Sequence, residues 1–273
     1  MLSLRRLFHP APAFCAALLM SVLAALLPLE NARASDAGVV ILHGKGGMPG
    51  GLVRPLAEYL TAEGFAVANL EMPWSKSRQY NAAPETAVAE IDAAVAKMKA
   101  EGARRTFVAG HSLGGLFAAY YATQRPLSGL ILVAPGGNVA SKFWQKKVAS
   151  SLEEATVLIA DGKGDAPGDF LDFEGSKGEF TIRVTARFYR AWFSLDSPLN
   201  QRRTYGRLPP DLPILNIVPL DDYKALRKTK DELYALLPVT ADTEMYEPDT
   251  DHKGAPGAAA AYIKGWIDKL PAR

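Results

Sequence analysis

Thr106-Phe107-Val108-Ala109-Gly110-His111-Ser112-Leu113-Gly114-Gly115 is the stretch on which the fold turns. Residues 106–109 form a short apolar run that predicts a strand, and 116–122 read as a helix. Between them stands Gly110-His111-Ser112-Leu113-Gly114, the pattern Gly-x-Ser-x-Gly. A strand that turns this sharply into a helix holds its middle residue in a strained backbone conformation. Small residues two positions to either side leave room for the neighbouring chain. Ser112 Oγ is then expected at the carboxyl end of the strand. Beside it lies a helix N-terminus whose free N–H groups favour a developing oxyanion.

Upstream, 39–42 is a continuous apolar run, the mark of a strand buried on both faces. It ends in His43-Gly44-Lys45-Gly46-Gly47, whose glycines permit a tight turn and close approach to a ligand. The Gly-Lys-Ser/Thr ending of a phosphate loop is missing. Residues 52–60 have helical spacing, and 65–70 form a second strand expected to be buried. The loop 71–81 carries Trp74, either as a pocket wall or as packing. Pro84 opens a helix with Val88, Ile91, Val95 and Met98 on one stripe. Downstream, 129–134 is another apolar strand. This alternation predicts an α/β fold, a mostly parallel sheet with helices on both faces.

The next strand is 213–218, so 136–212 is too long for a plain crossover and reads as an inserted cap. Residues 152–158 suggest a helix, and 161–165 and 174–178 read as turns. The aromatics Phe143, Trp144, Phe188, Tyr189, Trp192 and Phe193 are expected mostly to form the cap's own small core, with one or two reaching a pocket. Beyond the cap come Asp221 and Asp222, a helix over 223–237, a strand over 243–246, a polar loop holding His252, and a closing helix over 256–270.

The Gly-His-Ser-Leu-Gly-Gly segment resembles the elbow of esterases and lipases of the α/β-hydrolase superfamily. His43-Gly44-Lys45-Gly46-Gly47 resembles the oxyanion loop of bacterial lipases. The resemblance implies the chain order serine, acid, histidine. His252 is the one histidine after Ser112, and it falls in the loop where that fold carries its base. Counting from Pro219, where relatives often have glycine, the acid is Asp222, with Asp221 the alternative. The implied oxyanion donors are the backbone N–H groups of Leu113 and Lys45. The Lys45 side chain either favours an anionic substrate or points to solvent, and His43 and His111 support the loops around Ser112. Trp74 and His111 are the candidate substrate contacts. The implied activity is hydrolysis of a small acyl substrate, a carboxylic ester, with no metal or organic cofactor. The same triad serves thioesterases, acyltransferases and peptidases, and a non-catalytic binding protein of this fold is the alternative of another class.

Residues 1–34 are expected to be a cleaved signal peptide. Arg5 and Arg6 precede an apolar run over 13–29, and Ala32-Arg33-Ala34 supplies small residues for cleavage, so the mature chain is expected to begin at Ser35. The whole chain has 31 basic and 29 acidic residues, and the segment takes Arg5, Arg6, Arg33 and Glu30 with it. The remainder is formally neutral, which gives no basis for binding nucleic acid or anionic membranes. The single cysteine, Cys15, leaves too, so no disulfide or thiolate chemistry is expected. The expected location is periplasmic or secreted, with no stable membrane insertion after cleavage.

Overall fold

The computed structural model describes residues 36–175 and 177–271. The expected signal peptide lies outside them. In chain order the elements are β1 (Ala37–Leu42), α1 (Arg54–Ala62), β2 (Ala66–Leu70), α2 (Pro84–Ala100), β3 (Arg105–His111), α3 (Leu113–Ala122) and β4 (Gly129–Val133). An inserted segment follows: α4 (Lys142–Ala160), β5 (Pro167–Glu174), β6 (Gly178–Thr185), α5 (Ala186–Phe193) and α6 (Gln201–Tyr205). The chain then closes with β7 (Ile214–Ile217), α7 (Lys224–Tyr234), β8 (Glu244–Tyr246), α8 (Ala255–Ala258) and α9 (Ala260–Lys269).

Six strands form one sheet in the order β2-β1-β3-β4-β7-β8, every neighbour parallel. Period-two alternation sends Val40, Leu42, Val108, Leu130 and Leu132 to one face, where α2 and α3 cover them. Val39, Ile41, Phe107, Ala109, Ile131 and Val133 face the other way, against α1, α8 and α9. Over the central strands both faces are dry, so β1 and β4 read as continuous apolar runs. The expected stripe of α2 is buried as predicted. β2 differs from expectation: it is an edge strand with β1 as its one neighbour, and all five of its residues are half-buried.

β3 is longer than its apolar run because it starts at a charged residue. Arg105 is buried, donates to Asp36 at 3.0 and 3.2 Å, and donates to the carbonyls of Ile267 and Leu270 at 2.8 and 3.0 Å. Such a fully partnered arginine carries no hydrophobic signal for the strand that holds it.

The inserted segment contains the expected helix and turns, and a β-hairpin that the apolar spacing did not announce. β5 and β6 pair antiparallel, with Phe170 opposite Ile182 and Asp172 opposite Phe180. The insertion's aromatics do not form a separate core, because they continue the main one. Trp192 packs against Phe117 of α3 and Trp74, with ring centroids at 5.5 and 5.8 Å, and donates Nε1–H to Ala82 O at 2.7 Å. Phe193 meets Tyr80 at 4.9 Å. Among the described residues no helix is long and apolar enough to cross a membrane.

Candidate active site

Ser112 sits between β3 and α3 with φ 54° and ψ −120°, a conformation that L-residues rarely adopt. The flanking glycines make it possible. A Cβ on Gly110 would lie 2.1 Å from Gly114 O, and one on Gly114 would lie 2.6 Å from the carbonyl oxygens of both Leu42 and His43. The turn is therefore packed directly on the end of β1. Ser112 N–H donates to Val133 O at 2.9 Å, which ties the elbow to β4. Leu113 N–H, at the start of α3, has no acceptor among the described residues.

The second free donor lies in the loop after β1. Gly46 N–H donates to Trp74 O at 2.8 Å and Gly47 N–H to Gly44 O at 3.0 Å, while Lys45 N–H has no acceptor among the described residues. Close approach is again needed, because a Cβ on Gly44 would stand 3.1 Å from Ser112 Cβ. His43 braces the loop from inside. Its Nδ1–H donates to Gly44 O at 2.8 Å and its Nε2 accepts from Met72 N–H at 3.0 Å. Burial lowers its pKa, so both hydrogen bonds belong to the neutral ring. Trp74 is 1 % exposed and donates Nε1–H to His43 O at 2.7 Å. It backs this loop as packing, and it also stands in the wall of the cavity beside Lys45.

The acid and the histidine come from the loops after β7 and β8. His252 Nδ1–H donates to Asp222 Oδ1 at 2.7 Å, and both residues are buried. The same oxygen accepts Tyr223 N–H at 2.6 Å. Asp221 is exposed and its backbone bridges to Asp251, so it holds the two loops together instead of meeting the ring. The His252 loop turns on Asp251 Oδ1, which accepts the N–H groups of Lys253 and Gly254 at 3.0 and 2.7 Å. With Nδ1 committed to Asp222, the lone pair of His252 lies on Nε2. Neither that atom nor Ser112 Oγ has a hydrogen-bond partner among the described residues.

His111 lies beneath this pair. Its ring centroid is 5.0 Å from that of His252, and its Nε2–H donates to His252 O at 2.9 Å. Burial pushes its pKa down to about 4, with the neighbouring His252 acting in the same direction. A neutral, buried His111 positions the histidine loop through this hydrogen bond. Sequence had offered it as a substrate contact, and its burial directs it to support.

The Lys45 side chain goes neither to solvent nor to an open anion site. Nζ donates to Asp172 Oδ1 and Oδ2 at 2.7 and 2.9 Å and to Phe173 O at 3.2 Å. Asp172 is the residue that sequence reading missed. A signal was present: in Phe170-Leu171-Asp172 it stands two residues after the apolar Phe170, on the same face of the strand, and both are buried. A cavity of about 400 Å³ opens beside this pair, with Lys45, Gly46, Tyr80, Phe180 and Ile182 in its wall. Among the described residues no three His, Cys, Asp or Glu side chains converge as a metal site would require.

A parallel sheet with helices on both faces, an elbow serine after β3, an insertion after β4, and an acid and a histidine after the last two strands make up the α/β-hydrolase fold. The chain has that fold. A family model described as serine aminopeptidase, S33, matches residues 33–165. That span includes both loops that meet at Ser112 and stops before the β5–β6 hairpin, Asp222 and His252. None of the curated proteins matches the sequence. Among solved structures, a monoacylglycerol lipase from Paleococcus ferrophilus is 21 % identical with a TM-score of 0.59, over 85 % of this chain and 94 % of the other. Est1E from Butyrivibrio proteoclasticus, with ferulic acid bound, is 16 % identical with a TM-score of 0.57, over 87 % and 90 %. DcsB, in complex with its substrate analogue, is 13 % identical with a TM-score of 0.67, over 87 % and 91 %.

Proposed function

We propose that the protein is a serine hydrolase that cleaves carboxylic esters through Ser112, His252 and Asp222. The observation that carries this reading is the strained, glycine-packed Ser112 in a fold that also holds a buried His252–Asp222 pair. His252 Nε2 takes the Ser112 hydroxyl proton as Oγ attacks the ester carbonyl. Asp222 keeps the proton on Nδ1 and stabilises the imidazolium. The backbone N–H groups of Leu113 and Lys45 receive the oxyanion, a role in which one donor is typically worth ~2.7–4 kcal/mol. Collapse breaks the bond to the alcohol, which leaves with the proton from His252. Water then attacks the acyl-enzyme with His252 as base, releasing the acid and restoring Ser112. The lipase and esterase names among the structural neighbours support the ester reading.

The family match supports a second reading, amide cleavage at a peptide N-terminus by the same residues. One experiment separates the two. The chain from Ser35 is incubated with a fluorophosphonate probe beside Ser112→Ala and His252→Ala, then with p-nitrophenyl esters and aminoacyl p-nitroanilides. Labelling of the wild type alone, with turnover of esters, supports the proposal. Turnover of the anilides instead selects the peptidase, and an unlabelled wild type removes both.

The leader-like segment 1–34 supports a periplasmic or secreted location. N-terminal sequencing of the exported protein is expected to begin at Ser35, and a sequence beginning at Met1 would remove this part of the proposal.

A further inference from the structure

Lys45 belongs to the loop that meets Ser112, yet its side chain is committed to a carboxylate 127 residues further along the chain. We infer that Asp172 is a positioning residue for the oxyanion site: through the Lys45 side chain, the inserted hairpin fixes the direction of the Lys45 backbone N–H. The inference rests on the serine-hydrolase reading.

The loop is anchored on both sides of Lys45. His43 O accepts Trp74 Nε1–H at 2.7 Å, and Gly46 N–H donates to Trp74 O at 2.8 Å. Between these anchors, rotation of the peptide joining Gly44 to Lys45 would redirect the Lys45 N–H. A preceding glycine resists that rotation weakly, and this peptide carries the N–H in question. Its carbonyl half is held, since Gly44 O accepts His43 Nδ1–H at 2.8 Å and Gly47 N–H at 3.0 Å, while Lys45 N–H has no acceptor among the described residues. The side chain adds a constraint on the Lys45 side of that peptide. The three donors of the ammonium are matched by three acceptors, the two Asp172 oxygens and Phe173 O. The rings of Phe193 and Trp144 flank Nζ, with centroids at 5.7 and 5.9 Å.

Burial separates this pair from an incidental surface contact. The side chains of Lys45 and Asp172 are 12 % and 0 % exposed. A buried pair gains Coulomb energy but loses hydration, and apolar residues of similar volume often stabilise as well or better. Docking the hairpin therefore gives no reason for a carboxylate at an inward position beside Phe170. Holding one peptide plane does, because a directional, saturated ion pair restricts orientation where apolar packing does not.

The test is steady-state hydrolysis of a short p-nitrophenyl ester by wild type and Asp172→Asn. Affinity for a trifluoromethyl ketone is measured beside it, since the adduct of that inhibitor with the serine carries an oxyanion. Misplacement of a reacting group by about 1 Å can cost 10²-fold. Asp172→Asn is expected to lower kcat by about ten- to a hundredfold with KM within about twofold. Ketone affinity should fall by the same factor as kcat/KM. Because one lone buried charge can unfold the hairpin, Lys45→Met/Asp172→Leu is measured as well. It should match the wild-type thermal midpoint and still show the low kcat. Unchanged kcat in Asp172→Asn, a loss confined to KM, or recovery of kcat in the double variant would overturn the inference while the hydrolase reading stands. A wild type that neither labels with fluorophosphonate nor turns over ester removes both.

Discussion

Among the described residues, Leu113 and Lys45 each present an unpaired backbone N–H near Ser112, but different physics holds them. Leu113 is fixed locally. It is the first residue of α3, the strand before it is buried, and Gly110 and Gly114 leave no space for another path. Lys45 is held in part by its neighbours, through the hydrogen bonds of His43 and Gly47 to Gly44 O, and in part from a distance, by Trp74 and by Asp172 of the inserted hairpin. Leu113 sits where the main chain itself dictates its geometry. At Lys45 the geometry is assembled from three separated segments, so it can be changed without touching the sheet.

The largest expected effect tests whether chemistry happens where the two regions meet at all. Asp222→Asn should lower ester kcat by about 10⁴ through the wrong histidine tautomer. Exposed Asp221→Asn should stay within about threefold. The reverse result in the same assay would reassign the acid and break the comparison at its base. Next comes the elbow. Gly110→Ala places a methyl against backbone that cannot yield, so urea unfolding should show a loss at or beyond the ~3 kcal/mol upper end of ordinary overpacking. A mild effect would mean that the elbow is less locally determined than its geometry indicates.

The support under His252 sharpens the picture with pH. Folded His111 titrates at about 4 against an ordinary 6.5. In that window the unfolded chain takes up a proton that the folded chain refuses. Stability is therefore complete above pH 6.5 and falls on acidification, by roughly 3 kcal/mol as pH approaches 4. His111→Gln keeps a donor for His252 O and should flatten this slope in thermal unfolding followed across that range. The smallest effect belongs to the oxyanion loop. Trp74→Phe removes the hydrogen bond to His43 O and leaves a buried acceptor, at a cost of about 1–3 kcal/mol in urea unfolding. A loss as large as that of Gly110→Ala would erase the contrast between the two regions.

The sheet was legible because both faces of its central strands are dry and β1 and β4 are uninterrupted apolar runs. β3 was underestimated because Arg105, fully partnered, looks polar in sequence and is buried in space. The β5–β6 hairpin was hard to read because the short alternation of Phe180, Ile182 and Val184 runs directly into the aromatic helix that follows. The elbow was legible because its constraint is steric and local, and its two glycines stand within the same five residues as the serine.

Sequence by itself determined that Ser112 must occupy a strained turn. The spacing of glycines and apolar residues encodes backbone geometry over one strand and one helix. Only the tertiary structure decided that Asp222 and not Asp221 meets His252, that His111 is buried support, and that Lys45 is held by Asp172. Those choices depend on which side chain of two neighbours turns inward and on charges far apart in the chain. Local pattern carries no information about a partner that folding brings close.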